Sequence, residues 1–152
     1  MFTVADMMTP HPHSLSASHT LADAKRLMEK HHIHHIPVTN DDNHLIGLVS
    51  QRDILSAQES SLEQFSKNQF ISALDIPLEQ AMHRNLMSVD PHAGLKEAAV
   101  YMQKHQIGCL PIIDHNKLVG IITDTDFVAI AINLLELQEE VEPVEEEADT
   151  LY

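Results

Sequence analysis

The sequence predicts an α/β protein of the α+β type: two copies of one β-α-β-β-α unit, packed sheet to sheet with pseudo-two-fold symmetry. Three observations carry that expectation. First, the 152-residue chain repeats itself. Met8, Ser14, Leu21, Ala24, Met28, His31, Ile33 and Pro37 recur 74 positions on as Met82, Ser88, Leu95, Ala98, Met102, His105, Ile107 and Pro111. Past the prolines the spacing becomes 73, pairing Leu45 with Leu118, Gly47 with Gly120 and Asp53 with Asp126. The slip falls between Asn40-Asp41-Asp42-Asn43 and Asp114-His115-Asn116, turn-forming stretches where an added residue costs least. Second, each copy holds a run with apolar residues at helical spacing. Third, two short β-branched runs follow it in each copy. One unit of roughly 50 residues is hard to stabilise alone, whereas two sharing a core form a credible domain.

A short strand is expected around Ser14-Leu15, matched by Ser88-Val89. Thr20 and Asp23 then open a helix in which Leu21, Ala24, Leu27, Met28 and His31 share one face, as Leu95, Ala98, Tyr101, Met102 and His105 do in the second copy. The runs Ile36-Pro37-Val38-Thr39 and Leu45-Ile46-Gly47-Leu48-Val49 have strand length and β-branched content, and a turn between them makes an antiparallel hairpin. Leu110-Pro111-Ile112-Ile113 and Leu118-Val119-Gly120-Ile121-Ile122 repeat that hairpin. A last helix should cover 50 to about 65 in one copy and 123 to about 137 in the other. The organisation is therefore a first repeat at 1–57, a helical linker at 58–74, a second repeat at 75–137 and an acidic tail at 138–152. Eight of the 23 acidic side chains fall between Glu136 and Asp149, with no basic residue among them. That segment buries too little apolar surface to offset its ordering entropy, so it reads as solvated chain.

With 9 basic against 23 acidic residues, a formal charge of −14, nucleic-acid binding through phosphate neutralisation is not expected. No run of apolar residues is long enough for a membrane span, and residues 1–20 lack the basic start and apolar run of a secretory signal. A single cysteine, Cys109, fits a cytoplasmic location and forms no disulfide within the chain. Four glycines, Gly47, Gly94, Gly108 and Gly120, make no phosphate-cradling loop, and no serine stands in a Gly-x-Ser-x-Gly elbow. Cys109 sits at the start of a strand and reads as a buried structural thiol; an enzyme would need it, with a nearby histidine, as its nucleophile. Eight of the twelve histidines precede Leu45, but Pro37 ends any helix after His31-His32-Ile33-His34-His35 and spreads the imidazoles. No metal site is expected, and no function attaches to the histidines' titration from sequence alone.

One constellation occurs twice at a strand-to-helix junction: Gly47-Leu48-Val49-Ser50-Gln51-Arg52-Asp53 and Gly120-Ile121-Ile122-Thr123-Asp124-Thr125-Asp126. A hydroxyl at the N-cap with an acid three residues on is a capping box, worth about 1 kcal/mol. The same place can bind a ligand. Free N–H groups and a hydroxyl suit a phosphate, and a carboxylate one turn in can accept both hydroxyls of a ribose. Geometry leaves both readings open.

The tandem unit, with an Ile-Pro-Val or Leu-Pro-Ile strand followed by Gly-x-x-Ser/Thr-x-x-Asp, resembles a pair of CBS domains, a Bateman module, over about residues 4–128. The resemblance implies two clefts between the repeats that take adenosine-containing ligands such as AMP, ADP, ATP or S-adenosylmethionine, with no obligatory cofactor. It implies that Asp53 and Asp126 hold ribose hydroxyls, that Ser50 and Thr123 approach phosphate, and that His34, His35, Gly108 and Cys109 line the clefts. Adenine beside Asp126 would rest near Thr9, Ser14, Ile33 and Pro37; adenine beside Asp53 would lie near His83, Ser88, Ile107 and Pro111. Arg52, His34 and His35 around Asp53 suit phosphate, so that cleft should prefer charged nucleotides. Asp124, Thr125 and Gly108 around Asp126 point to adenosine, S-adenosylmethionine or an empty cleft. The resemblance further implies no catalytic residue and no enzyme activity, a homodimer and an unidentified regulated protein. A structural dimerisation module with empty clefts is the competing reading.

Overall fold

The computed structural model describes residues 1–65 and 73–141. The two copies fold alike down to small irregularities. α2 (Leu21–His31) starts from Thr20, whose N–H donates to Asp23 Oδ2 at 2.9 Å while Asp23 N–H donates to Thr20 Oγ1 at 3.3 Å. Its counterpart α5 (Leu95–His105) starts from Gly94, which offers no side-chain cap. Both helices end on a non-glycine residue in the left-handed region, His32 (φ 54°) and Gln106 (φ 54°), which turns the chain towards the hairpin. β2 (His35–Thr39) pairs antiparallel with β3 (Leu45–Ser50), and β4 (Cys109–Asp114) with β5 (Lys117–Thr123). The register shifts at matching places, between Val38 and Thr39 and between Ile112 and Ile113. α3 (Gln51–Phe65) and α6 (Asp124–Val141) complete the repeats.

Three features differ from the sequence expectation. The strands expected at 14–15 and 88–89 are reduced to single parallel bridges, Leu15 to Val38 and Val89 to Ile112. α6 continues to Val141, past its expected end near 137, because Leu137, Gln138, Glu139 and Glu140 all favour helix and outlast the loss of core contacts. The first residues assigned to the acidic tail are therefore helical, and 142–152 lie outside the described residues. The linker assigned to 58–74 continues α3 as far as Phe65 and ends in a 3-10 turn, Ala73–Asp75, with 66–72 outside the described residues.

A further difference concerns which segment belongs to which core. Two short helices, α1 (Val4–Met7) and α4 (Leu78–Ala81), precede the repeats, and each packs on the other copy. Val4, fully buried, joins Leu95, Ala98, Met102, Leu110, Ile112 and Ile122 of the second core. Leu78 and Met82 join Leu21, Met28, Ile36 and Val49 of the first. The strands cross over in the same way. β1 (Thr9–Pro10) pairs antiparallel with β5 through Thr9–Ile121 and Pro10–Gly120, and His83 bridges Leu48 of β3. Sequence periodicity is blind to this exchange, because an apolar residue looks the same whichever core receives it.

The hairpin turns also meet. Asn43 Nδ2 donates to the Leu118 carbonyl at 3.0 Å, and Leu118 N–H donates to the Asn43 carbonyl at 3.0 Å. The repeats thus contact each other through strands, short helices and turns about a pseudo-two-fold axis.

Candidate ligand-binding site

The duplicated junction forms its capping box in both repeats. Ser50 N–H and Oγ donate to Asp53 Oδ2 at 2.7 and 3.0 Å, and Asp53 N–H returns a bond to Ser50 Oγ at 3.3 Å. Thr123 N–H and Oγ1 donate to Asp126 Oδ2 at 2.8 and 3.2 Å, answered by Asp126 N–H at 3.4 Å. Capping uses only one carboxylate oxygen of each aspartate, so the two readings of the motif are compatible.

The remaining oxygens distinguish the sites. Asp53 Oδ1 is taken by His83 Nε2 at 2.6 Å, a contact supplied by the exchanged segment of the second repeat. Asp126 Oδ1 has no partner among the described residues. Asp126 lines a cavity of about 350 Å³, within the range of small-molecule sites. Thr123, Thr125 and Ile121 form one side, Thr9, Pro10 and the turn beyond them another, and Ile33, His34 and His35 a third. The crossing of β1 onto β5 is what brings Thr9 to Asp126, and the left-handed turn at His32 aims Ile33 into the same space.

Each residue singled out from the sequence has a definite place. Thr9, Ile33, His34 and His35 stand with Thr123, Thr125 and Asp126 around this cavity, and His34 and His35 also adjoin the Asp53 box, where Gln51 N–H donates to the His34 carbonyl at 2.9 Å and His35 pairs with Ser50. Arg52 is exposed. Gly108 lies against His35 and Asp124, where an added methyl group would stand 3.3 Å from His35 Nε2 and 3.2 Å from Asp124 Oδ2. Pro37 and Pro111 are fully buried and Ser14 is exposed outside the lining. Ile107 packs on the second core. His83 reaches Asp53 as expected, whereas Ser88 lines a separate open groove of about 410 Å³ with Arg84, His44 and Asn116. Cys109 is buried, and desolvation together with Asp124 and Asp126 pushes its thiol far above the usual range, which suits a structural role and not a nucleophile.

Sequence reasoning missed His11, Pro12, His13 and His32, which also line the cavity. The signal for His11 and His13 was their place next to Thr9; nothing local in the sequence reveals that this segment crosses to the other repeat. Among the described residues no group of three or more His, Cys, Asp or Glu is placed to hold a metal ion, and no helix is long and apolar enough to cross a membrane.

Two exchanged α/β repeats, each with a hydroxyl–aspartate box at its strand-to-helix junction and one of these boxes on a cavity lined by both repeats, define a paired module. The CBS domain profile matches residues 4–60 and 75–133, and the chain belongs to that family. It is 33% identical over 122 residues to the CBS domain-containing protein YhcV of Bacillus subtilis, covering 80% of each chain. It superposes on a Vibrio cholerae protein provisionally assigned to acetoin utilization (AcuB) with a TM-score of 0.79 and 57% identity, covering 94% of this chain and 99% of that one. The likeness agrees with the compact chain and the Met8-Thr9-Pro10 near its start, similar to the bacterial acetoin-utilisation regulatory protein. CBSX2, solved in complex with AMP, matches with a TM-score of 0.73 and 28% identity over 88% of this chain and 98% of that one. Homoserine O-acetyltransferase of Methanococcus vannielii is 30% identical over 118 residues, but the chain spans only 22% of that protein's length.

Proposed function

We propose that this protein is a regulatory sensor, not an enzyme, which binds an adenosine-containing molecule in the cavity beside Asp126. The observation that carries the reading is the unpaired Asp126 Oδ1 at the wall of a cavity built by both repeats. Ile33, Pro10 and Ile121 offer an apolar surface to a purine, Asp126 accepts the ribose hydroxyls, and Thr123 and Thr125 lie where a phosphate would follow. Support also comes from the AMP complex of CBSX2. The Asp53 cleft, closed by His83, takes ligand only if that ion pair opens. The likeness to the Vibrio cholerae protein supports acetoin utilisation as the process regulated, through a partner protein yet to be identified.

The test is a melting comparison with AMP, ADP, ATP, adenosine and S-adenosylmethionine in the parent, Asp53→Ala and Asp126→Ala. Either substitution should cost about 1 kcal/mol through its cap. At a hundredfold excess over Kd a ligand adds about 2.7 kcal/mol, and Asp126→Ala should lose that gain while Asp53→Ala keeps it. An undiminished shift in Asp126→Ala overturns the ribose assignment. The absence of any shift in the parent favours an interaction module with empty clefts, a reading suggested by the apolar exposed surface of α6 at Val128, Ile132, Leu134, Leu135 and Leu137.

A further inference from the structure

The cavity beside Asp126 is walled by five imidazoles. His11 and His13 come from the turn after β1, His32 from the end of α2, and His34 and His35 from the approach to β2. Neither lysine nor arginine is among its lining residues. His13 stacks on His31 with ring centroids 3.8 Å apart and planes inclined by 15°. His35 Nδ1 is buried with no hydrogen-bond partner. A site for a neutral nucleoside has no need of so many titratable donors, and a site for a permanently held anion would ordinarily use arginine.

We propose that the cavity selects a phosphorylated adenosine, holds its phosphate on these imidazoles, and takes up protons as it does so, coupling nucleotide binding to pH. The proposal rests on the adenosine reading of the same cavity and adds the anionic ligand and the proton. In the empty site two rings of this cluster, His31 and His35, are biased towards their neutral forms. Burial lowers the His31 pKa, and His13, Lys30 and His32 lower it further. Burial lowers that of His35 as well, against the opposing pull of Asp124 and Asp53 and with the help of His34. Asp126 and Asp124 are the acidic groups facing the cluster from the α6 side, and Asp53 from the α3 side. A phosphate arriving among the rings reverses the balance. It favours their charged forms, raises their pKa values, and so binds more tightly as pH falls. The exposed rings His11, His32 and His34 can supply this charge without disturbing a core.

The experiment is calorimetric titration of the full chain with AMP and with adenosine at pH 6 and pH 8, repeated in buffers of different ionisation heat to count protons. AMP should bind about tenfold more tightly per pH unit for each proton taken up, and adenosine should bind alike at both values. In the triple variant His11→Asn, His32→Asn and His34→Gln the AMP profile should flatten. The first two positions have left-handed backbones (φ 48° and 54°) that asparagine accepts. The phosphate's own titration is common to parent and variant, so the difference reports the histidines. Proton counting on the parent at pH 8 needs no variant, because free AMP is already dianionic there and a proton taken up belongs to the protein. If adenosine binds but AMP binds no more tightly at pH 6 and takes up no proton, this inference fails and the adenosine reading stands. If neither ligand binds at either pH, both fail.

Discussion

Glycines at Gly47 and Gly120 answer to contact, not to backbone conformation, since no described glycine has a positive φ. A methyl group at Gly47 would overlap the Met82 side chain, and one at Gly120 would overlap Met8. Those methionines are themselves repeat partners, so the repeated Gly and the repeated Met are two halves of one contact made twice across the repeats. Gly47→Ala should destabilise by about 1–3 kcal/mol through overpacking. Met82→Ala should cost about 2–5 kcal/mol as a buried truncation. Denaturant melts of both single variants and the double variant check the contact: the double should cost clearly less than the sum, because the new methyl enters space the methionine has left. Strict additivity would show that the two residues do not share that space.

At the scale of elements, the hairpin turns carry the one side-chain bond that ties the two hairpins end to end. Asn43 also has a left-handed backbone (φ 62°), so Asn43→Gly keeps the conformation and removes only the bond to the Leu118 carbonyl. A loss of about 0.5–1.5 kcal/mol is expected in chemical denaturation. A neutral result would mean that water replaces the amide. The elements themselves were largely legible in the sequence. Thr20 and Asp23, the alternating β-branched runs and the duplicated hydroxyl–aspartate box each act through neighbours a few positions away, and α2, the hairpins and the starts of α3 and α6 follow from them. What the sequence concealed is long-range. The crossing of Thr9 and Pro10 onto β5 depends on strand edges 110 residues distant, and it decides which side chains meet at Asp126. For the same reason His34 and His35 could be placed beside Ser50 and Asp53, their neighbours across the hairpin, while their second place, in the wall of the Asp126 cavity, stayed hidden.

On the scale of the whole molecule, α6 extends beyond its own core, and residues 131–140 are all exposed. Ile132, Leu134, Leu135 and Leu137 on that stretch are each at least 50% exposed, a larger apolar surface than an isolated helix end would ordinarily leave in water. A homodimer through this helix is the expected state. Sedimentation at micromolar concentration should give twice the chain mass, and Ile132→Glu with Leu135→Glu should give the single chain with its melting midpoint little changed. A parent that sediments as one chain rules the dimer out. The exchange of α1 and α4 has a consequence of a historical kind. A single ancestral unit could not have covered its own hydrophobic centre with its own leading segment, because that segment reaches the neighbour. Two identical units could cover each other's centres in this way only by lending each other their leading segments, an arrangement that one chain here holds within itself. Two identical units would also have to set the same residue against each aspartate, whereas this chain puts His83 on Asp53 and Thr9 beside Asp126, a difference open only to halves that need not be the same.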